Sequence, residues 1–289
     1  MKPSLRIYYI NLDHRTDRRD YMEAQFRTIG LSAERISAST PADIATADLA
    51  PVTFEDARRG LAPTEIATSI SHQRAWRRML GDGETHALVL EDDCELSPLL
   101  PAFLAELDRQ GAFPGVVRLE TRLRYHTLER RVARTVLGIE LHHPFTWEWG
   151  TAAYVISADE ARRVLASEYR FGLPIDDTLL SPESPLRDRN RILQAVPALA
   201  FVPEDGRDEG NQPGSVRQSE LQADRQSRFD AQKPKVKVRK LVREFRRVRR
   251  QIADIRQILR HRIFGRIMVV PFARNPVPTG RSSVVPPRA

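Results

Sequence analysis

Cysteine is almost missing from this sequence of 289 residues. The single one, Cys94, cannot close an intramolecular disulfide or build a multi-cysteine zinc or iron–sulfur site, which excludes stapled secreted scaffolds and fits a reducing compartment. Long apolar runs are lacking as well. Nowhere do about eighteen uncharged apolar residues follow one another, the length a membrane-spanning helix needs. Met1-Lys2-Pro3 runs straight into a strand-like segment holding Asn11 and Asp13, without the apolar stretch of a signal peptide. These absences predict a soluble or peripheral, cytoplasmic protein. What is present is a globular composition, 41% hydrophobic and 29% charged, in a chain long enough for one large domain or two modest ones.

The net charge of +8 is unevenly distributed. From Lys233 to the end there are seventeen Lys and Arg against two acids, Glu244 and Asp254, a balance of +15 that leaves −7 for residues 1–232. An acidic body therefore carries a basic tail, and nucleic-acid binding cannot be inferred from the average.

Along the body, 5–12 (LRIYYINL) is a buried strand by its apolar, β-branched and aromatic content, with Asp13 and Thr16 as cap candidates for a helix over 16–29 that Gly30 closes. Residues 33–62 are small, polar and punctuated by proline, and predict a mostly irregular connection. A second helix runs from Thr64 to about Leu80. Then 86–91 (HALVLE) ends in acids, as a central parallel strand does where its carboxyl end meets a site. A helix at 99–109, strands at 116–119 and 152–156, a helix from Ala158 to Ser167 and an apolar run at 195–202 continue the alternation, which implies an α/β fold.

Four clusters could carry chemistry. Glu91, Asp92 and Asp93 stack carboxylates that repel one another unless a cation compensates, and a divalent metal holding a diphosphate is such a cation. Alternation puts Glu91 and Asp93 on one face, though a bend at the strand end could bring in Asp92 instead, and a solvated acidic turn explains the triplet equally well. In the second cluster, Asn11, Asp13, Arg15, Arg18 and Arg19 surround a helix N-terminus, suited to a nucleotide phosphate or simply to a capped surface helix. No GxGxxG or Walker pattern follows the strand, which argues against a dinucleotide-binding dehydrogenase and a P-loop enzyme. Third, Thr68, His72 and Trp76 share a helix face, so that His72 is either a cleft residue or a structural histidine. Last, Gly150-Thr151 opens a small-residue strand that a ligand could approach, and Asp176-Asp177 opens a helix as an N-cap or a general base.

Taken in order, INLDHRTDRR (10–19), SHQRAW (71–76), LVLEDDCELSP (88–98), VVRLE (116–120), GTAAYVIS (150–157) and PIDD (174–177) resemble glycosyltransferase family 25, the family of bacterial lipooligosaccharide biosynthesis enzymes and collagen galactosyltransferases. The resemblance covers about residues 5–202. It implies a GT-A-like nucleotide-sugar-binding fold, a central mostly parallel sheet flanked by helices. It also implies inverting transfer of a hexose, commonly galactose from UDP-galactose, to a sugar hydroxyl of a lipid-linked saccharide acceptor. By position, Glu91 and Asp93 are implied to bind Mn²⁺ or Mg²⁺, with Asp93 foremost, and Asn11, Asp13, Arg15, Arg18, Ser71, His72, Asp92, Gly150 and Thr151 to meet the nucleotide sugar. Asp176 or Asp177 is the expected base, with Glu120 as competitor. One departure stands out: where the family carries Gly-Glu-Ile-Gly-Cys, this chain has Thr64-Glu65-Ile66-Ala67-Thr68, which changes how closely a ligand can approach the backbone. Cys94 reads as a small core residue.

Within 235–268, apolar residues from Val238 to Ile263 recur at helical steps, with arginines such as Arg243, Arg246 and Arg250 on the other faces. A basic amphipathic helix fits an anionic membrane surface, about 1 kcal/mol per cation near the headgroups. With the implied lipid-linked acceptor, it predicts an enzyme peripheral at the inner face of the bacterial cytoplasmic membrane. A helix packing its stripe on the body is the alternative; nucleic acid is not expected as a partner, since no aromatics are interleaved with the basic residues. The expected division is a catalytic domain over 1–215, a linker and basic helix over 216–270, and a proline-rich disordered tail over 271–289. A non-catalytic scaffold acting through its tail is the competing function.

Overall fold

A computed structural model describes residues 5–44, 61–111, 113–146, 148–167, 173–181, 184–203 and 263–274. Strand β1 (Arg6–Asn11) leads into helix α1 (Thr16–Ile29), and Gly30 ends that helix in the left-handed conformation at φ 71°. The N-cap of α1 is Arg15, not Asp13 or Thr16, and no side chain caps it. Asp13 is drawn away by Arg35 Nη1 at 2.8 Å and Ser37 Oγ at 2.9 Å. Those two partners lie in β2 (Glu34–Ser37), a strand inside the segment expected to be mostly irregular, and a short 3₁₀ turn follows at Pro41–Asp43. Helix α2 (Pro63–Gly81) starts with proline at its first position, and the Glu65 carboxylate accepts the Ala62 N–H at 2.9 Å.

Next come β3 (His86–Glu91), the short β4 (Glu95–Leu96), α3 (Leu100–Arg109), β5 (Val116–Arg118) and the short β6 (Glu120–Thr121). A long hairpin, β7 (Tyr125–Val136) and β8 (Ile139–Pro144), follows; no element had been expected there. Its two-residue turn has positive φ at Leu137 (51°) and Gly138 (78°), the mirror-image geometry that matches strand twist. The chain continues with β9 (Ala153–Ser157), α4 (Ala158–Leu165), α5 (Ile175–Leu180), β10 (Ile192–Val196), β11 (Ala200–Phe201) and, after residues outside the description, β12 (Gly265–Val269).

The main sheet has the order β12-β7-β8-β10-β5-β9-β3-β1-β2. Only β1 with β2, β1 with β3 and β10 with β5 pair in parallel, so the α/β class holds but the sheet is mixed rather than mostly parallel. The reason is β9, which runs antiparallel between β3 and β5, together with the hairpin on the far side. Helices on both faces and a mixed sheet agree with a GT-A-like fold.

Alternation along the strands sorts the core into two layers. Ile7, Tyr9, Leu88 and Leu90 pack with Met22, Phe26, Phe103 and Leu104 of α1 and α3. Tyr8, Ile10, Ala87, Val89 and Tyr154 pack with Trp76 and Met79 of α2 and with Val164 and Leu179 of α4 and α5. Glu91 continues the Ala87-Val89 series and so faces α2.

The C-terminal expectations need correction where they fall on described residues. Residues 265–269 form a strand, which registers Ile267 opposite Thr127, so the helical stripe does not reach 268; residues 235–262 lie outside the described part. The stretch after the strand is packed, not disordered: Val270 and Ala273 are buried, and Ala198 donates its N–H to Pro271 O at 2.8 Å. Backbone pairing with β7 and the Ala198 segment fixes what proline content alone suggested was loose.

Candidate active site

The carboxyl ends of β1, β3 and β5 meet the amino end of β9, the position where open α/β sheets bind ligands. Glu91 N–H donates to Ala152 O at 2.8 Å and Leu119 N–H to Ala153 O at 2.9 Å, which locks 150–153 between the ends of β3 and β5. In front of β1 and β3 lies a cavity of about 270 Å³, closed on the other side by α2 and the loop after β2. Asn11, Arg18, Ser71, His72, Glu91, Asp92 and Asp93 all line it, along with Ser39, Thr40, Thr64 and Thr68.

The three adjacent carboxylates differ in what remains free on them. Asp92 has both oxygens engaged: Oδ2 accepts from Asn11 Nδ2 at 2.7 Å and Oδ1 from Arg18 Nη1 at 2.8 Å. Burial pushes it above the usual carboxylate range, although Arg18 and Asn11 pull the other way. Glu91 is held by one oxygen. Its Oε1 accepts from Thr151 Oγ1 at 3.0 Å and lies 3.4 Å from His72 Nε2. Burial raises Glu91, but His72 and Thr151 outweigh it and hold the carboxyl below its usual range. Asp93 has a buried Oδ1 with no hydrogen bond. Burial and then the Glu91 charge push Asp93 up to about 7. Oxygen atoms of Glu91 and Asp93 are thus what the triplet offers to a cation. No group of three His, Cys, Asp or Glu among the described residues could hold a metal ion, so a divalent ion here would take most of its ligands from a bound diphosphate and water.

Ser71 and Asn11 do structural work at the rim. Ser71 Oγ accepts the Ser39 N–H at 2.8 Å and donates to Ala67 O, tying α2 to the loop after β2. Asn11 Nδ2 also donates to Arg15 O at 3.0 Å. Asp13 and Arg15 are not in the cavity: Asp13 pairs with Arg35, and Arg15 holds Asp17 at 2.8 Å and brings it down to about 2.

Glu120, Gly150, Asp176 and Asp177 also lie outside the cavity lining. Glu120 is buried and fully engaged: Oε1 accepts from Arg118 Nε and Nη2, at 3.0 and 2.9 Å, and Oε2 from Ala152 N at 2.9 Å. Asp176 accepts the Gly150 N–H at 3.1 Å and the Asp177 N–H at 3.0 Å, which anchors α5 to the strand entry. Gly150 has φ 110°, and a Cβ there would meet Arg122 Nη2 at 3.0 Å and Glu120 Oε1 at 3.1 Å.

Arg118 and Arg122 were missed by sequence reasoning. Burial works against the charge of Arg122, but Glu120, Asp93, Glu91 and Glu148 outweigh it and raise the guanidinium. Arg118 reaches Glu148 Oε2 at 3.4 Å, and His126 Nε2 meets the same oxygen at 2.8 Å. The signal was the alternation Arg118-Leu119-Glu120-Thr121-Arg122, which sets one acid between two bases at the end of a strand. Tyr154, whose hydroxyl touches His72, was likewise unassigned.

Residues 4–179, more than half of the chain, match the family described as glycosyltransferase family 25 (LPS biosynthesis protein). The chain belongs to glycosyltransferase family 25. Among its relatives are the lacto-N-neotetraose biosynthesis glycosyltransferase LgtE of Neisseria meningitidis, 29% identical over 54% of this chain and 58% of the relative. The lipooligosaccharide biosynthesis protein lex-1 of Haemophilus influenzae is 27% identical over 64% of this chain and 63% of the relative. A glycosyltransferase 25 family member of Anopheles gambiae is 27% identical over 60% of this chain, and there the match spans only 31% of the relative's length. In this family 25 chain the matched segment holds every residue of the cavity wall together with Thr151, Tyr154 and α5's carboxylates, and β12 lies beyond it.

Proposed function

We propose that this chain is an inverting glycosyltransferase that moves a hexose, galactose from UDP-galactose, to a saccharide acceptor of lipooligosaccharide or lipopolysaccharide at a membrane surface. The observation that carries this is the 270 Å³ cavity at the ends of β1 and β3, where Glu91 and Asp93 keep carboxylate oxygens open beside Arg18 and His72. Glu91 and Asp93 would hold Mn²⁺ or Mg²⁺, whose charge would offset that of the departing diphosphate. Asn11, Arg18 and Asp92 form the rigid floor on which the nucleotide part rests. In the transfer, the acceptor oxygen bonds to the anomeric carbon as the bond to the diphosphate breaks on the opposite face, and the acceptor proton passes to a carboxylate. Glu120 and Asp176 each have both carboxylate oxygens bonded within the protein, whereas Asp177, on the same helix as Asp176, is half-buried, and it is our candidate to take that proton.

No helix among the described residues is long and apolar enough to cross a membrane. The basic stretch 235–262 is our candidate for reaching an anionic lipid surface that presents the acceptor. A thermal-shift panel of UDP-, GDP- and CMP-sugars, with and without Mn²⁺, tests the donor. Stabilisation by UDP-galactose, greatest with Mn²⁺, followed by transfer of labelled galactose to lipooligosaccharide, is the expected result. No shift with any nucleotide sugar would refute the assignment.

A further inference from the structure

Tyr154 is the second residue of β9, fully buried, and α2 presents two groups to its hydroxyl. Trp76 Nε1 lies 2.9 Å away and His72 Nδ1 2.8 Å away. An indole N–H can only donate, so the tyrosine oxygen accepts from Trp76. Burial raises the phenol well above its ordinary range and keeps its proton in place. That proton has one described acceptor within reach, His72 Nδ1. If Nδ1 carried a proton too, three hydrogens would crowd one oxygen and the tyrosine O–H would be left unpaired in a dry site, a costly arrangement. The imidazole therefore accepts at Nδ1 and carries its proton on Nε2. That nitrogen is buried, has no hydrogen-bond partner within ideal geometry, and sits 3.4 Å from Glu91 Oε1.

We propose that Tyr154 is a positioning residue for sugar transfer: by donating to His72 it fixes the Nε2–H tautomer, which with Thr151 holds Oε1 of Glu91 and leaves Oε2 turned to the incoming ligand. The relay Trp76, Tyr154, His72, Glu91 crosses from α2 to β9, back to α2 and on to β3, so the orientation of one carboxylate is set by three elements of the fold. Partners of this kind orient the groups that touch a ligand, and their loss commonly costs tenfold or more in affinity or activity. The proposal rests on the glycosyltransferase function given above.

The test is ¹⁵N NMR of the histidine ring nitrogens in the full chain, with His72 assigned by its loss in His72→Gln. The expected spectrum shows His72 protonated at Nε2 and bare at Nδ1. In Tyr154→Phe both tautomers become populated, and kcat/KM for the donor falls about tenfold while the acceptor KM is unchanged. Trp76→Phe keeps the Tyr154–His72 bond and is expected to keep the tautomer. A proton on Nδ1 in the parent chain, or a folded Tyr154→Phe with unchanged tautomer and donor kinetics, would overturn the proposal. Should Tyr154→Phe not fold, the parent spectrum and Trp76→Phe decide the tautomer. A parent chain with the expected tautomer that transfers no sugar would refute the function and with it the positioning role, leaving the relay as architecture.

Discussion

Arg18 Nη1 lies 2.8 Å from Asp92 Oδ1, and the two side chains are only 8% and 9% exposed. This buried pair joins the first turn of α1 to the end of β3 and, through Asn11 on the other oxygen, to the end of β1. Breaking such a pair strands one charge in the interior. Arg18→Met alone should therefore cost roughly 3–5 kcal/mol, because Asp92 stays buried without its cation. The double substitution Arg18→Met with Asp92→Leu should cost less than the two single changes together. Urea unfolding of the three variants measures this, and additive losses would show that the pair is not coupled.

The neighbouring carboxylates should behave differently. Glu91→Gln and Asp93→Asn remove the oxygens left open to a cation, and each should raise the Mn²⁺ concentration for half-maximal transfer by about tenfold or more while leaving the melting temperature near that of the parent. Asp92→Asn keeps one acceptor oxygen but turns an NH2 donor toward Asn11 or Arg18, both of which donate to Asp92, and it loses the charge, so its main effect should be on stability. Metal titrations of transfer rate, set beside thermal melts, separate the two classes. A common response from all three positions would mean that the triplet acts as one acidic patch.

Gly150 should resist substitution for a reason that lies in its backbone. At φ 110° a side chain strains the chain, and the position faces the Arg122 and Glu120 side chains at 3.0 and 3.1 Å. Gly150→Ala should destabilise the protein by about 1–3 kcal/mol. It should also weaken transfer, because Thr151, the next residue, holds Glu91. Thermal unfolding and donor kinetics of this one variant check both effects, and an unchanged melting temperature would show that the strand entry relaxes freely.

Much of this was legible in the sequence, and what was not has physical causes. The strands of 5–12 and 86–91 and helices α1 to α4 declare themselves through apolar periodicity and glycine or proline punctuation, which act locally. The carboxylates of 91–93 stood out as candidates because three adjacent acids repel one another, although a solvated turn explained them equally well. How they divide the work was hidden, since Asp92 is occupied by Asn11 and Arg18, 81 and 74 residues away in the chain. The direction of β9 was equally hidden: an apolar run of small and β-branched residues reads the same whichever way it inserts between two neighbours. The Leu137-Gly138 turn carries no asparagine or aspartate, so the hairpin it closes gave little warning. At the C-terminus, proline content misled because the packing of 270–274 comes from backbone pairing with distant segments, which composition does not record.

That packing yields the last prediction. Ser97 and Thr121 hydroxyls donate to Ala273 O and Val270 O, and Ala273 N–H donates to Ala198 O at 2.9 Å. Residues 270–273 are thus a strap across the Ala198 segment and the ends of β4 and β6, with Val270 and Ala273 buried beneath it. Ending the chain after residue 262 would remove β12 and the strap, expose Leu128 and leave several backbone and hydroxyl groups without partners, each worth about 1–3 kcal/mol. That truncation should fold poorly or melt many degrees lower. Ending it after residue 274 keeps every one of these contacts and should leave the melting temperature within a few degrees of the parent. Thermal melts of the two truncations decide the point, and equal stability would show that the strap adds nothing to the body. The same contrast bears on membrane attachment: removing everything from Lys233 onward would confound lost lipid contact with a damaged core. Neutralising Arg243, Arg246, Arg247, Arg249 and Arg250 in the full chain, then measuring sedimentation with anionic vesicles, isolates the basic stretch.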